Sequence, residues 1–197
     1  MIIEGIITTK NQDGTINVSP MGPICEDAWQ HITLRPFQTS RTYQNLRRHG
    51  EGVFHVTDDV DLLARAAIGW LDNTPAFLPA KKVDGMILAD TCRWYAFRVE
   101  RLDDSDERTT IECTIVDQGR RRDFLGFNRA KHAVVEAAIL ATRVHLLPAD
   151  EIRQQMARLS VIVNKTAGDQ ELGAFALLDR YIEQSLADQL ATGQKAV

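Results

Sequence analysis

The pattern of hydrophobic and polar residues changes once along the chain, near residue 127. Before that point, short runs of β-branched and aromatic residues alternate with turn signals, which predicts strands. After it, apolar residues recur at intervals of three and four over 130–144, which predicts helices. The order predicts a β-barrel-like domain at 1–125, followed by a helical segment at 126–197 that packs on the barrel or on a dimer partner.

Within the first domain the pattern predicts two hairpins, two short helices and a loop. In chain order, these elements are a hairpin of 2–9 and 15–19, a strand at 29–34, a helix capped by Thr39 or Ser40, a strand at 52–57, a helix capped by Asp58 or Asp59, a loop at 72–82 and a hairpin of 92–101 and 109–117. The hairpins are predicted because turn residues separate alternating runs, at 11–14 and at the acidic tip 103–107. The helices are predicted because a capping residue precedes apolar residues at helical spacing.

Composition and charge then exclude several classes of protein. The 197 residues are 44% hydrophobic and 25% charged, which suffices for a core without disulfides or a structural metal. The net charge is −4, and the one basic run, 120–122, is flanked by Asp117 and Asp123, so we interpret it as a solvated loop and expect no nucleic-acid partner. The three cysteines lack zinc spacing, which argues against a metal site and indicates a reducing compartment. Without a leader or an apolar run of about 18 residues, we expect a cytoplasmic protein that does not enter the membrane.

Candidate binding residues concentrate at the start of the first predicted helix. Three hydroxyls, of Thr39, Ser40 and Thr42, and two guanidiniums, of Arg35 and Arg41, lie within eight positions. Free backbone N–H groups at a helix start, hydroxyl donors and arginine suit a phosphate. The alternative is plainer, because Ser and Thr are common helix caps and helical Arg usually faces water. This segment alone leaves both interpretations open.

Short motifs follow one another in a fixed order through the chain. They are Thr8-Thr9, Asp13-Gly14, Asn17 and Pro20 in the opening hairpin, Thr42, Asn45 and Leu46 in the first helix, and Gly50-Glu51 before the next strand. This order resembles the FMN-binding split barrels of the flavin-reductase-like and pyridoxamine-phosphate-oxidase-like superfamily. More narrowly, the stretches 17–23, 34–37, 54–59 and 126–136 are similar to an uncharacterised domain-of-unknown-function family within those barrels.

The resemblance implies a mainly β fold with α, an FMN-binding split β-barrel followed by a C-terminal helical segment. It also implies that FMN is the cofactor and that the flavin lies near the interface of a homodimer. The residues it assigns to the flavin are Thr39, Ser40 and Thr42 at the phosphate with Arg35 or Arg41 and the neighbouring Phe37, and Asn17, Ser19, Pro20 and Met21 along the isoalloxazine edge or the ribityl chain. Ser40, Arg41 and His55 depart from the reductase pattern, which puts ordinary flavin reductase activity in question more than flavin binding.

A polar stripe marks the first C-terminal helix. Arg129, His132, Glu136 and Arg143 fall on one side of an otherwise apolar pattern. One hypothesis places Asn128 or Arg129 at the flavin phosphate or at the substrate. The alternative, which we favour because interface rims are polar, is a salt-bridge network between subunits or an edge that faces solvent.

Two functions remain open at this stage. The first is an FMN-dependent oxidoreductase acting on a small-molecule substrate or electron donor. The second is a non-catalytic module that binds FMN or another phosphorylated ligand, with a link to pterin-dependent one-carbon metabolism suggested by the narrower resemblance. No nucleophile elbow or dinucleotide-binding glycine motif is present, and the sequence identifies no catalytic residue.

Overall fold

An antiparallel sheet of seven strands forms much of the computed structural model, which describes residues 1–25 and 29–193. The strands are β1 (Gly5–Lys10), β2 (Ile16–Met21), β3 (Ile24–Cys25), β4 (His31–Leu34), β5 (Glu51–Val56), β8 (Arg93–Asp103) and β9 (Thr110–Arg120), with a separate pair, β6 (Phe77–Pro79) and β7 (Met86–Leu88). The helices are α1 (Arg41–His49), α2 (Val60–Ile68), α3 (Arg129–Thr142), α4 (Ala149–Thr166) and α5 (Asp169–Gly193). The strand order in the large sheet is β2-β1-β5-β8-β9-β4-β3.

The sheet curls until the residues before β1 meet β3. Ile2 and Ile24 form an antiparallel bridge. The Cys25 N–H donates to the Met1 carbonyl at 2.7 Å, and the Ile3 N–H donates to Pro23 at 3.2 Å. The predicted barrel-like architecture is therefore confirmed, with β2 left on β1 as an edge strand.

The barrel interior is filled by alternate residues of the strands and by one face of α1. Ile7, Phe54, Phe97 and Ile111 are fully buried there, and Leu46 of α1 packs among them. Burying a leucine side chain contributes about 2 kcal/mol, so this contact holds α1 on the barrel. The start of α1 consequently has a fixed place at the barrel's end.

The predicted loop at 72–82 is wrong in part, because it contains β6. The β6–β7 hairpin covers the outer face of the barrel, where Val83 and Ile87 pack on Val53 and Ala96. The Thr8 hydroxyl fixes this hairpin by donating to the Met86 carbonyl at 2.6 Å. A strand of three residues that contains a proline is too short to show a period in the sequence.

Helices α2 to α5 lie in a second compact unit, which consists of Asp59–Asp72 and the residues from Leu125 onward. Within it, Lys131 on α3 pairs with the buried Glu171 on α5 at 2.7 Å. The predicted domain boundary lies at 125, yet α2 belongs with the C-terminal helices. The edge-to-face contact between Trp70 and Tyr181, with ring centroids 5.4 Å apart, shows this grouping at the end of α2.

Candidate functional site

The N-terminus of α1 presents backbone donors that the helix itself does not use. Ser40 is the cap residue, and its Oγ accepts the Tyr43 N–H at 3.2 Å. The N–H groups of Arg41 and Thr42 have no acceptor in the described part of the chain. Such groups carry the positive end of the helix dipole and suit an anion.

Side chains that are also uncommitted surround these donors. Thr39, Arg35 and Arg41 are exposed, and none of the three makes a side-chain hydrogen bond to another residue within 1–25 and 29–193. Ser40 is half-buried, and its hydroxyl keeps its own hydrogen to donate. The structure thus places the predicted phosphate residues Arg35, Thr39, Ser40 and Arg41 on one loop and helix start, while their contact with a ligand stays a prediction.

The loop before α1 is held in place by the acidic tip of the β8–β9 hairpin. The Gln38 N–H donates to the Glu107 carbonyl at 2.9 Å, and the side-chain amide of Gln38 donates to two further tip carbonyls. The buried Thr109 hydroxyl donates to the Pro36 carbonyl at 2.8 Å. These bonds fix the loop against the hairpin tip before any ligand arrives.

Two side-chain contacts strengthen this clamp. The Tyr43 hydroxyl donates to Asp104 Oδ2 at 2.7 Å, and this bond raises the pKa of the Tyr43 phenol above its ordinary value. The Arg108 guanidinium lies over the ring of Phe37, 5.6 Å from its centroid. Phe37 is still 54% exposed, so part of the ring remains available for the predicted ligand contact.

Thr42 differs from the expectation that its hydroxyl meets a phosphate. The residue is 1% exposed, and its Oγ1 accepts a hydrogen bond from Asn17 Nδ2 at 3.2 Å. Asn17 and Asn45 both donate to the Thr9 hydroxyl, at 3.3 and 3.0 Å, which closes a buried network between β1, β2 and α1. The Thr42 hydroxyl thus helps to fix the helix to the barrel, and contact of this residue with a phosphate stays a prediction.

The outer edge of β2 carries backbone groups that no strand of the described chain pairs with. β2 is the last strand of the sheet, so only one of its edges is paired, with β1. The Asn11 N–H donates to the Thr15 carbonyl at 2.8 Å, and hydrogen-bonded pairs alternate along an antiparallel ladder. The odd-numbered residues of β1 and β2 are therefore the ones that bond to each other. The backbone groups of Val18 and Pro20 consequently face away from β1. Pro20 has no N–H, so its place on this unpaired side leaves no donor unsatisfied.

Two of the side chains predicted along the isoalloxazine edge, those of Asn17 and Met21, turn toward the barrel. Met21 packs against the barrel core, Asn17 joins the buried network, and the Ser19 hydroxyl donates to the Pro20 carbonyl at 3.4 Å. Contact of Asn17, Ser19, Pro20 and Met21 with a ligand stays a prediction. At this edge the backbone groups of Val18 are unpaired within the described residues, and the sequence prediction did not name this residue. Pro20 was the available signal, since a proline in an edge strand indicates which alternate residues face outward.

Asn128 and Arg129 belong to the helical unit. Asn128 caps α3, accepting the Lys131 N–H at 3.1 Å and donating to the Thr166 carbonyl at 3.0 Å, so its side chain is engaged within that unit. The residues of the polar stripe are all exposed in this chain, namely Arg129, His132, Glu136 and Arg143. Exposure in a single chain agrees with a solvent-facing edge and equally with a subunit interface, and a ligand contact of Asn128 or Arg129 remains a prediction.

The described residues contain neither a cluster of metal-binding side chains nor a helix that could span a membrane. In residues 1–25 and 29–193, three or more His, Cys, Asp and Glu side chains never come together in a way that could hold a metal ion. In the same residues, every helix is too short or too polar to span a membrane.

Comparisons with known proteins place the fold and the family. A model described as the N-terminal domain of a protein of unknown function (DUF447) matches residues 3–122, and a second DUF447 model matches 128–180. An FMN-bound DUF447 protein from Methanosarcina mazei superposes with a TM-score of 0.79 at 21% identity, over 91% of this chain and 94% of that one.

Other solved structures are similar to the barrel. The 2-nitrobenzoate 2-nitroreductase of Pseudomonas fluorescens matches with a TM-score of 0.50 at 16% identity, over 60% of this chain and 64% of that one. An FMN-binding protein of Thermus thermophilus with bound 1-cyclohex-2-enone gives 0.50 at 10%, over 60% and 70%. The predicted split β-barrel followed by helices is confirmed. Since the two family models together cover most of the sequence, the chain belongs to the DUF447 family of proteins with the FMN-binding split-barrel fold.

Proposed function

We propose that this protein binds FMN, with the phosphate at the start of α1 and the flavin ring along the free edge of β2. The observation that carries the proposal is the pair of N–H groups of Arg41 and Thr42, which lack an acceptor within the described residues. A phosphate dianion would accept both bonds. The FMN-bound relative from Methanosarcina mazei, with the same fold over 91% of this chain, supports the choice of ligand.

The donors around the helix start fit a phosphate in number and charge. Thr39 and Ser40 each have a hydroxyl hydrogen to donate, and the guanidiniums of Arg35 and Arg41 make no hydrogen bond to another side chain of the described residues. A guanidinium stays protonated at any physiological pH and can form two parallel bonds to phosphate oxygens. The clamp of the preceding loop means that these groups are ordered in advance, which lowers the entropic cost of binding.

The β2 edge fits the polar rim of an isoalloxazine ring. Val18 offers one N–H donor and one carbonyl acceptor, and Pro20 offers a second carbonyl. The pyrimidine side of the flavin presents carbonyl and N–H groups in alternation, so it would pair with such a strand edge. The exposed backbone of a rigid strand would thereby orient the ring.

When bound, FMN supplies hydride or electron transfer, and the protein binds and orients it. We propose an oxidoreductase with an unidentified small-molecule partner.

One observation favours a binding role without turnover, because the side chains at the start of α1 are hydroxyls and guanidiniums, which do not exchange protons near neutral pH. Loss of flavin absorbance on anaerobic addition of NADH or NADPH would support the enzyme, and unchanged absorbance would support the module. The homodimer implied by the resemblance stays a prediction.

Removing the phosphate donors is expected to lower FMN affinity selectively. Hydrogen bonds to charged groups contribute about 1.5–3 kcal/mol, so Thr39→Ala and Arg35→Ala should each weaken FMN binding about tenfold or more. Riboflavin lacks the phosphate, and its affinity should change by less than about twofold in the same variants. Quenching of flavin fluorescence measures both constants. Equal affinities of the unmodified protein for FMN and riboflavin would contradict the proposal.

A further inference from the structure

An open cleft lies between the β1–β2 turn and the outer face of α1. Its volume is about 430 Å³, within the range of small-molecule sites. The lining residues are Asn11, Gln12, Asp13, Arg41, Gln44, Asn45 and Arg48. Of these, the proposed phosphate site uses Arg41 alone, so the remainder of the cleft lies outside that site.

Part of the cleft is a wall that the fold builds without a ligand. Asn45 Nδ2 donates to Asn11 Oδ1 at 2.8 Å, and Asn11 Nδ2 donates to the Thr15 hydroxyl at 2.9 Å. Arg48 is anchored by a bond from its Nη2 to the Lys10 carbonyl. Because these bonds link the turn to the helix, the distance across the cleft is set by the barrel.

The other groups of the cleft are available to a ligand. Gln12, Arg41 and Gln44 are exposed and make no side-chain hydrogen bond to any residue in the described ranges. Asp13 uses Oδ1 to accept from the hydroxyl and the N–H of Thr15, at 2.6 and 3.0 Å, which leaves Oδ2 free of hydrogen bonds within the described residues. The cleft thus offers the Arg41 guanidinium, the carboxamides of Gln12 and Gln44, and one carboxylate oxygen, with the anchored Arg48 adding a second positive charge to the wall.

This combination matches a nucleotide better than a simple anion. Guanidiniums bind phosphate oxygens, but a carboxylate beside them would repel a free phosphate or a dicarboxylate. The same carboxylate accepts hydrogen bonds from ribose hydroxyls, as acidic residues do in dinucleotide sites. A carboxamide such as Gln44 presents one donor and one acceptor, which pairs with the edge of adenine.

We propose that this cleft binds the adenylate half of a dinucleotide whose pyrophosphate passes Arg41. The inference rests on the proposed function, since Arg41 then lies between the flavin phosphate and the adenylate. Two dinucleotides have this chemistry. One is FAD, in which the adenylate continues covalently from the flavin phosphate, and the other is a nicotinamide dinucleotide that binds beside FMN.

The test compares the affinities of FMN and FAD in matched variants. If the dinucleotide is FAD, we expect the unmodified protein to bind it about tenfold more tightly than FMN. Gln44→Ala and Arg48→Ala should then each reduce FAD affinity about tenfold while FMN affinity changes less than about twofold. Gln44 makes no side-chain bond within the described chain, so its substitution leaves the wall intact. Arg93→Ala is the control, because it removes the same charge from an exposed residue opposite Val56, at the other end of β5 from the turn.

A second titration separates the two dinucleotides. If FAD and FMN bind equally, ADP-ribose is added to the FMN-loaded protein. ADP-ribose binding that is weakened by Arg48→Ala assigns the cleft to a nicotinamide dinucleotide. If FMN binds while FAD gains nothing and ADP-ribose does not bind, the cleft proposal is wrong and the proposed function stands. If neither flavin binds, the proposed function is wrong. The cleft proposal is then supported if ADP-ribose binds the flavin-free protein and both Gln44→Ala and Arg48→Ala weaken this binding. It is overturned if ADP-ribose does not bind.

Discussion

Replacing Arg122 by alanine is expected to lower the free energy of unfolding by about 3 kcal/mol, because it leaves a buried carboxylate without its ion pair. The guanidinium bridges two acids, with Nη2 at 2.5 Å from Asp58 Oδ1 and Nε at 2.5 Å from Asp90 Oδ1. The Asp58 side chain is only 3% exposed, so in the folded protein its charge is balanced by the arginine and not by bulk water. Chemical denaturation followed by tryptophan fluorescence measures the loss.

A neighbouring arginine provides the control for this experiment. Arg120 pairs with Asp123, and the two side chains are 58% and 80% exposed. An exposed pair of this kind contributes about 0–1 kcal/mol, so Arg120→Ala should change stability little. Equal effects of Arg120→Ala and Arg122→Ala would show that burial of Asp58 does not govern the energy of the pair.

The stability of the folded barrel is expected to fall by about 3 kcal/mol between pH 7 and pH 4 because of His55. Burial lowers the pKa of this imidazole from 6.5 to about 4. Leu88 N–H donates to Nε2 at 3.0 Å, which fixes the neutral ring with the Nδ1 hydrogen pointing to the Ile6 carbonyl at 3.1 Å. As the pH falls through 6.5, His55 becomes protonated in the unfolded chain, whereas in the folded chain it stays neutral until about pH 4. Acid therefore favours unfolding.

His55→Asn isolates this contribution. The amide cannot titrate, so we expect the variant to be less stable than the unmodified protein at pH 7 but to lose about 3 kcal/mol less on acidification. His145→Asn, at an exposed histidine, should keep the full dependence. Urea denaturation at several pH values from 4 to 7 gives the three curves, and parallel curves for His55→Asn and the unmodified protein would refute the assignment.

Local signals in the sequence were enough to predict the elements around the site. Ser40 caps α1 and Gly50 ends it with a positive φ of 72°, as the residue types indicated. The turn at 11–14 joins β1 to β2 as expected. Each of these features depends on residues within a few positions of one another, which is why a pattern can reveal it.

Features that depend on distant residues could not be predicted in this way. The direction of the Thr42 hydroxyl is decided by Asn17, 25 positions away. The interpretation of 120–122 as a solvated loop is wrong for Arg122, because Asp58 meets it only after β5 and β9 have taken their places in the sheet. The cleft likewise arises where a turn and a helix meet, and no single stretch of sequence contains it.

The grouping of α2 with the C-terminal helices limits how the protein can be dissected. Cutting the chain at 125 would separate the barrel from α3 to α5 but would keep Asp59–Asp72, with Leu63 and Ala64 stripped of the helices that bury them. Such a fragment would expose a hydrophobic surface on α2 and would aggregate. A soluble barrel would require excision of 59–72 as well, with a linker that joins residue 58 to residue 73.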